Sequence, residues 1–145
     1  MEADGPTVHG SAVLAGARAV LIRGPSGCGK SRLVLALLAA AQSGLLPFAR
    51  LVGDDRVHIE ARHGRLLVRP APVLAGLIEV RGLGIRRLDY EPVAAVGLVV
   101  DLGTADAERL PEHAETVILG VRLPRLAVPA DTDPLPGILL SLRGH

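Results

Sequence analysis

The sequence has almost no aromatic residues: Phe48 and Tyr90 stand alone, and tryptophan is absent. A core therefore has to be packed from Leu, Val, Ile and Ala. Cysteine is nearly absent too, and the lone Cys28 excludes an internal disulfide, which favours a reducing, cytoplasmic setting. Excess charge is missing: the formal net charge is +1, against a strongly basic nucleic-acid binder and without attraction to an acidic membrane. Long apolar runs are lacking, since Leu33–Ala41 is far too short to cross a bilayer. The opening MEADGPTVHG is acidic and has no apolar segment of signal-peptide type. Lysine occurs once, as Lys30, while the other basic residues are arginines.

What is present suits one folded unit. With 145 residues and 49% hydrophobic content, residues 1–145 make a single domain with one core. Thr7–Ala15 and Ala17–Arg23 read as strands joined at Gly16. Arg32–Gln42, rich in Leu and Ala, reads as a helix stopped by Ser43-Gly44. Phe48–Val52 predicts a strand ending at Gly53-Asp54-Asp55, and Val57–Ala61 with Leu66–Arg69 predicts a hairpin about His63-Gly64. Val93–Leu102 predicts a buried central strand, Val117–Gly120 and Leu126–Val128 short strands, and Pro134–Arg143 a closing helix. The expected class is α/β with a mixed or antiparallel-rich sheet.

Between the second strand and the first helix lies Gly24-Pro25-Ser26-Gly27-Cys28-Gly29-Lys30-Ser31, which satisfies G-x-x-x-x-G-K-[ST]. Glycines let backbone N–H groups converge on phosphate oxygens. The following helix presents its positive end to the same phosphates. Lys30 reaches the β- and γ-phosphates in such a loop, and Ser31 ligates Mg²⁺. Cys28 reads first as a small residue at a variable loop position.

Phosphoryl transfer to a hydroxyl also needs a carboxylate to accept the proton and another to help hold the metal. Asp54 and Asp55 end a predicted strand, where neighbouring side chains point opposite ways, so one of the pair is expected to face the chemistry. A polar turn is the equal alternative. Glu79 lies among Ile78, Val80, Gly82 and Gly84, where the glycines suggest a close backbone approach. His9 on the first strand and Arg109 near Pro111 could meet phosphate charge, although structural or solvated roles are the commoner fate of such residues.

Several segments together resemble the catalytic domain of bacterial HPr kinase/phosphorylase. They are Val8-His9-Gly10, the P-loop, Leu51-Val52-Gly53-Asp54-Asp55-Arg56-Val57, and Glu79-Val80-Arg81-Gly82-Leu83-Gly84-Ile85, which is similar to the family signature E-[IV]-R-G-x-G-I. Ile118-Leu119-Gly120-Val121 and Leu123-Pro124 fit a later region. The resemblance implies a P-loop fold of the HPr kinase and phosphoenolpyruvate carboxykinase-like type. It implies transfer of phosphate from ATP to a serine of HPr or an HPr-like phosphocarrier protein, and removal by phosphorolysis. It implies Asp55 as proton acceptor supported by Asp54, Ser31 and Glu79 as Mg²⁺ ligands, His9, Lys30 and Arg109 as further catalytic residues, and a hexamer. The chain looks like the short form without the N-terminal regulatory domain. Arg32 departs from the family, which commonly has an acid there, and a reversed charge would weaken Mg²⁺ binding.

Other readings are a P-loop kinase of a small metabolite, a nucleotide-dependent switch, and a degenerate relative without transfer. A GTPase reading fails on the guanine-reading Asn-Lys-x-Asp motif, because the one lysine already belongs to the P-loop.

Overall fold

The computed structural model describes residues 6–104 and 114–143. Its elements follow the chain as β1 (Thr7–Ala15), β2 (Arg18–Arg23), α1 (Lys30–Gln42), β3 (Ala49–Gly53), β4 (Arg56–Arg62), β5 (Arg65–Pro70), β6 (Leu77–Val80), β7 (Gly84–Arg87), β8 (Ala94–Leu102), β9 (Glu115–Ile118), β10 (Val121–Val128) and α2 (Leu135–Arg143). This is the expected α/β class with a mixed sheet and a helix directly after the glycine loop.

The main sheet has eight strands in the order β2-β1-β4-β5-β8-β10-β9, with β3 on β1. Because β8 also pairs with β2, in parallel, the strands β2, β1, β4, β5 and β8 close into a ring. Alternation along the strands then fills two cores. Leu21, Val52, Val57, Ile59, Leu66, Val68 and Val99 point into the ring. Val20, Ile22, Leu51 and Val100 point the other way, onto Leu33, Val34 and Leu37 of α1 and Ile138 of α2. On β8 the alternation breaks at Gly97: Ala19 pairs with Val96 and Val20 with Leu98, so Gly97 is a bulge residue. The bulge lets Val96 face the ring and Leu98 the helices.

Several expectations shift: two cores replace the single one, and the short strand expected over Leu126–Val128 is the end of the longer β10. The helix starts at Lys30 rather than Arg32, because the P-loop lysine and serine are its first turn. The strand expected over Val117–Gly120 ends at Ile118, because Leu119 and Gly120 hold φ of 50° and 80° and form the two-residue turn between β9 and β10. The segment Leu77–Arg87 folds as a separate two-stranded sheet, with Glu79 paired to Ile85.

The chain from Ala49 to Arg62 runs along one edge of β1. It pairs with Ala12–Ala15 as β3 and then with Thr7–His9 as β4. Pairing is interrupted between them at Asp54-Asp55, which bulge from the edge opposite Gly10 and Ser11.

Candidate active site

Helix α1 begins without a side-chain cap. Its cap is Gly29, whose φ of 102° is left-handed and supplies no side-chain hydrogen bond, and its first turn holds no acid. Gly27, at φ 80°, makes the second left-handed position of the loop. Glycine adopts both without the Cβ penalty. The first N–H groups of the helix are thus left for an anion, backed by the helix dipole. Lys30 is buried, and its Nζ donates to the carbonyls of Gly24 (2.8 Å) and Pro25 (3.1 Å). Gripping a phosphate exchanges these neutral acceptors for anionic ones, which make bonds about twice as strong.

Ser31, next along the helix, points its hydroxyl at the acid bulge. Its Oγ lies 2.9 Å from both carboxylate oxygens of Asp54. A hydroxyl has one proton to donate, so bonding to Asp54 leaves its lone pairs open for a cation. Asp54 is buried and accepts a second bond, 2.6 Å, from Ser11 Oγ. Among the described residues, neither arginine nor lysine forms an ion pair with Asp54. Hydroxyl and carboxylate oxygens are the donor set of a hard cation such as Mg²⁺.

Asp55 turns the opposite way. Its φ is 71°, its side chain is 67% exposed, and its Oδ1 lies 3.4 Å from Nε2 of His9. The pair of aspartates therefore splits into one buried acid bonded to the P-loop serine and one exposed acid beside the histidine. The sequence reading expected a single one to serve the chemistry. The bulge gives each a surrounding of its own.

Glu79 sits on the small sheet, where β6 buries Ile78 against the core and turns Glu79 to solvent. Among the described residues the Glu79 side chain makes neither a hydrogen bond nor an ion pair. Arg109 lies outside the described residues. Cys28 is a free, partly buried thiol packed near the core.

Sequence reasoning missed a second buried acid. Asp101, near the end of β8, accepts hydrogen bonds from Arg23 Nε (2.7 Å) and Nη2 (2.8 Å) and from Arg125 Nε (2.5 Å). Arg23 directly precedes the P-loop and is the Cα partner of Asp101 across the parallel strands. Burial alone pushes the Asp101 carboxyl upward, but the hydrogen bonds and charges of the two guanidiniums outweigh it and hold the net value below the ordinary one. A single carboxylate closing the apolar run VAAVGLVVDL was the available signal. Ser11, the other unforeseen residue, was equally visible as a hydroxyl inside an apolar strand.

A strand, a glycine loop, a helix without a side-chain cap at its N-terminus and a buried acid on the loop's serine define a P-loop domain of mixed α/β architecture. Comparison with known proteins narrows this class. The family profile described as HPr Serine kinase C-terminal domain matches residues 3–134, and the chain belongs to that family.

Similar curated proteins include the HPr kinase/phosphorylase of Limosilactobacillus reuteri, 34% identical over 135 residues, covering 92% of this chain and 38% of the relative. The HPr kinase/phosphorylase of Caldicellulosiruptor bescii is 36% identical over 138 residues, covering 85% of this chain and 42% of the relative. The chain thus spans about two fifths of the length of these relatives. The solved HPr(Ser) kinase/phosphatase of Coxiella burnetii superposes with a TM-score of 0.78 at 26% identity, covering 97% of this chain and 95% of that one. Among the described residues, no helix is long and apolar enough to cross a membrane.

Proposed function

We propose that this domain transfers the γ-phosphoryl group of ATP to a serine of an HPr-like phosphocarrier protein, with Mg²⁺, in the cytoplasm and as a hexamer. The observation that carries the reading is the Ser31–Asp54 bond at 2.9 Å, with Asp55 one residue further along the bulge and beside His9 of β1. Similarity to relatives named for action on HPr supports the choice of acceptor.

Each residue has a task. Loop N–H groups from Gly24 to Lys30 and the Lys30 ammonium hold the phosphates. Ser31 and Asp54 would hold Mg²⁺, with Glu79 assigned to it by the family resemblance, and the ion would supply charge to offset that of the phosphoryl oxygens. Asp55 accepts the proton of the attacking serine hydroxyl as the serine O–P bond forms and the bond to the ADP oxygen breaks. Exposure suits Asp55 to this work, since a protein substrate has to reach it. His9 orients the Asp55 carboxylate. Arg109 is assigned to the developing negative charge.

In reverse, inorganic phosphate attacks the phosphoserine, pyrophosphate forms, and Asp55 returns the proton to the serine oxygen. Arg32, exposed in the first turn of α1, adds positive charge beside the loop without touching the Ser31–Asp54 bond.

The test incubates the protein with γ-labelled ATP, Mg²⁺ and the HPr-like protein of the same organism. Label on an acceptor serine, released as pyrophosphate when unlabelled phosphate is added, is the expected result. Tight ATP binding without acceptor labelling would overturn the transfer reading and leave a nucleotide-dependent switch.

A further inference from the structure

Ser11 is a polar side chain of β1 sealed from solvent, 0% exposed. Its hydroxyl donates to Asp54 Oδ1 at 2.6 Å and accepts the backbone N–H of Asp55 at 3.4 Å. Next to it, the backbone N–H of Gly10 donates to the Asp55 carbonyl at 3.1 Å. Two residues back, His9 approaches the Asp55 side chain. Three successive residues of β1 therefore address the acid bulge, and Ser11 touches both acids.

We propose that Ser11 is a positioning residue for this site: its hydroxyl turns the Asp54 carboxylate toward Ser31 and pins the bulge that presents Asp55 outward. The role rests on the phosphoryl-transfer reading of the same site. A hydroxyl suits it because one group gives a proton to Asp54 and offers a lone pair to the Asp55 N–H. An apolar side chain in its place leaves the Asp55 N–H without this acceptor, in a backbone already held at φ 71°. It also leaves Asp54 with Ser31 as its remaining hydroxyl partner. Groups that orient metal-holding side chains from behind commonly matter nearly as much as the ligands themselves.

Ser11→Thr and Ser11→Val have the same shape and differ in the hydroxyl, so strain from the added methyl cancels in their comparison. Ser11→Ala removes the hydroxyl without adding volume. The readouts are ATP affinity by calorimetric titration with and without Mg²⁺, the Mg²⁺ requirement of transfer, and thermal melts to confirm folding.

Metal-free ATP affinity should be alike in all variants, because Lys30 and the loop are untouched. The Mg²⁺ requirement should rise about 10–100-fold in Ser11→Val and Ser11→Ala, and the gain in ATP affinity on adding Mg²⁺ should shrink with it. Ser11→Thr should stay near the parent. An equal Mg²⁺ requirement in Ser11→Val and Ser11→Thr would overturn the role. If Ser11→Val does not fold, Ser11→Ala against Ser11→Thr carries the same decision. Asp54→Asn separates the two readings. If it too leaves the Mg²⁺ requirement unchanged, the metal site itself is misassigned. If it raises the requirement while the Ser11 pair do not differ, Ser11 alone is.

Discussion

Two aspartates are buried beside the P-loop at the ends of different strands, and their surroundings are opposite. Asp101, on β8, is met by the guanidiniums of Arg23 and Arg125. Asp54, just after β3, is met by the hydroxyls of Ser11 and Ser31. Buried charges are normally paired or bound to metal. Asp101 is already compensated within the fold, so its service is to tie β8 to the strands on either side under the loop. Asp54 has donors to orient it but forms no ion pair within the described residues. Burial is common to both acids, and the kind of partner tells the structural one from the one suited to a metal.

The third aspartate extends this comparison and carries the largest expected effect. Asp55 is exposed, so on the proposed transfer reading its replacement removes chemistry rather than stability. Asp55→Asn should lower phosphoryl transfer by about 10²–10⁴-fold while MgATP affinity and the melting temperature stay at the parental values. Steady-state rates with the carrier protein, beside nucleotide titrations, check it. A parallel loss of nucleotide affinity would move Asp55 to the side of Asp54.

Asp54→Asn comes next. It should raise the Mg²⁺ requirement about 10–100-fold, but leave the metal-free protein as stable as the parent or more so, because an amide is less costly to bury than an uncompensated carboxylate. Melts with and without Mg²⁺ and ATP read both effects. A clear drop in metal-free stability would place Asp54 with Asp101 as a structural acid.

These differences bear on what the linear sequence can tell. The P-loop was legible because its information is local: eight successive residues with fixed spacing, ahead of a helix-forming run. The β4–β5 hairpin and the apolar β8 were legible for the same reason. The separate fates of Asp54 and Asp55 were not. They depend on β1 passing from β3 to β4 along one edge, and on Ser11 lying 43 positions from Asp54. Likewise the ring closes through pairing of β2 with β8, and Arg23 meets Asp101 across 78 positions. Glu79 could be placed on a strand from its neighbours, but its exposed position on a two-stranded sheet apart from the main one comes from pairing with Ile85.

Asp101→Asn tests the structural member of the pair. Removing the carboxylate leaves two guanidiniums facing each other in a largely buried place. With Arg23 still partly solvated, about 1–3 kcal/mol of stability should go, read from denaturant midpoints. The sign with pH follows from a folded-state pKa held below the ordinary value. The stabilisation is full above the unfolded carboxylate's value of about 3.9 and fades as pH falls through the lower folded value. The gap between parent and variant should therefore be constant near neutrality and close in acid. A gap that widened on acidification would mean that the arginines do not hold the carboxylate ionised.

The smallest effect is expected where the same chemistry lies nearer the solvent. Glu60, on β4, also has two arginines: Arg69 Nη1 donates to it at 2.9 Å and Arg62 Nη2 at 2.9 Å. The bonds from Arg69 and then Arg62 lower its pKa as well. Its stabilisation has the same sign as that of Asp101, present above the ordinary carboxylate value and lost in acid. But the Glu60 side chain is 28% exposed, against 10% for Asp101, and Arg62 is 58% exposed, so water reaches these partners and salt screens much of what is left. Glu60→Gln should give a denaturation midpoint indistinguishable from the parent's at neutral pH and 0.15 M salt, about the physiological ionic strength. Two trios with one acid and two arginines would then differ in worth through burial alone. A loss from Glu60→Gln as large as that from Asp101→Asn would show that arginine pairing, and not burial, sets the contribution.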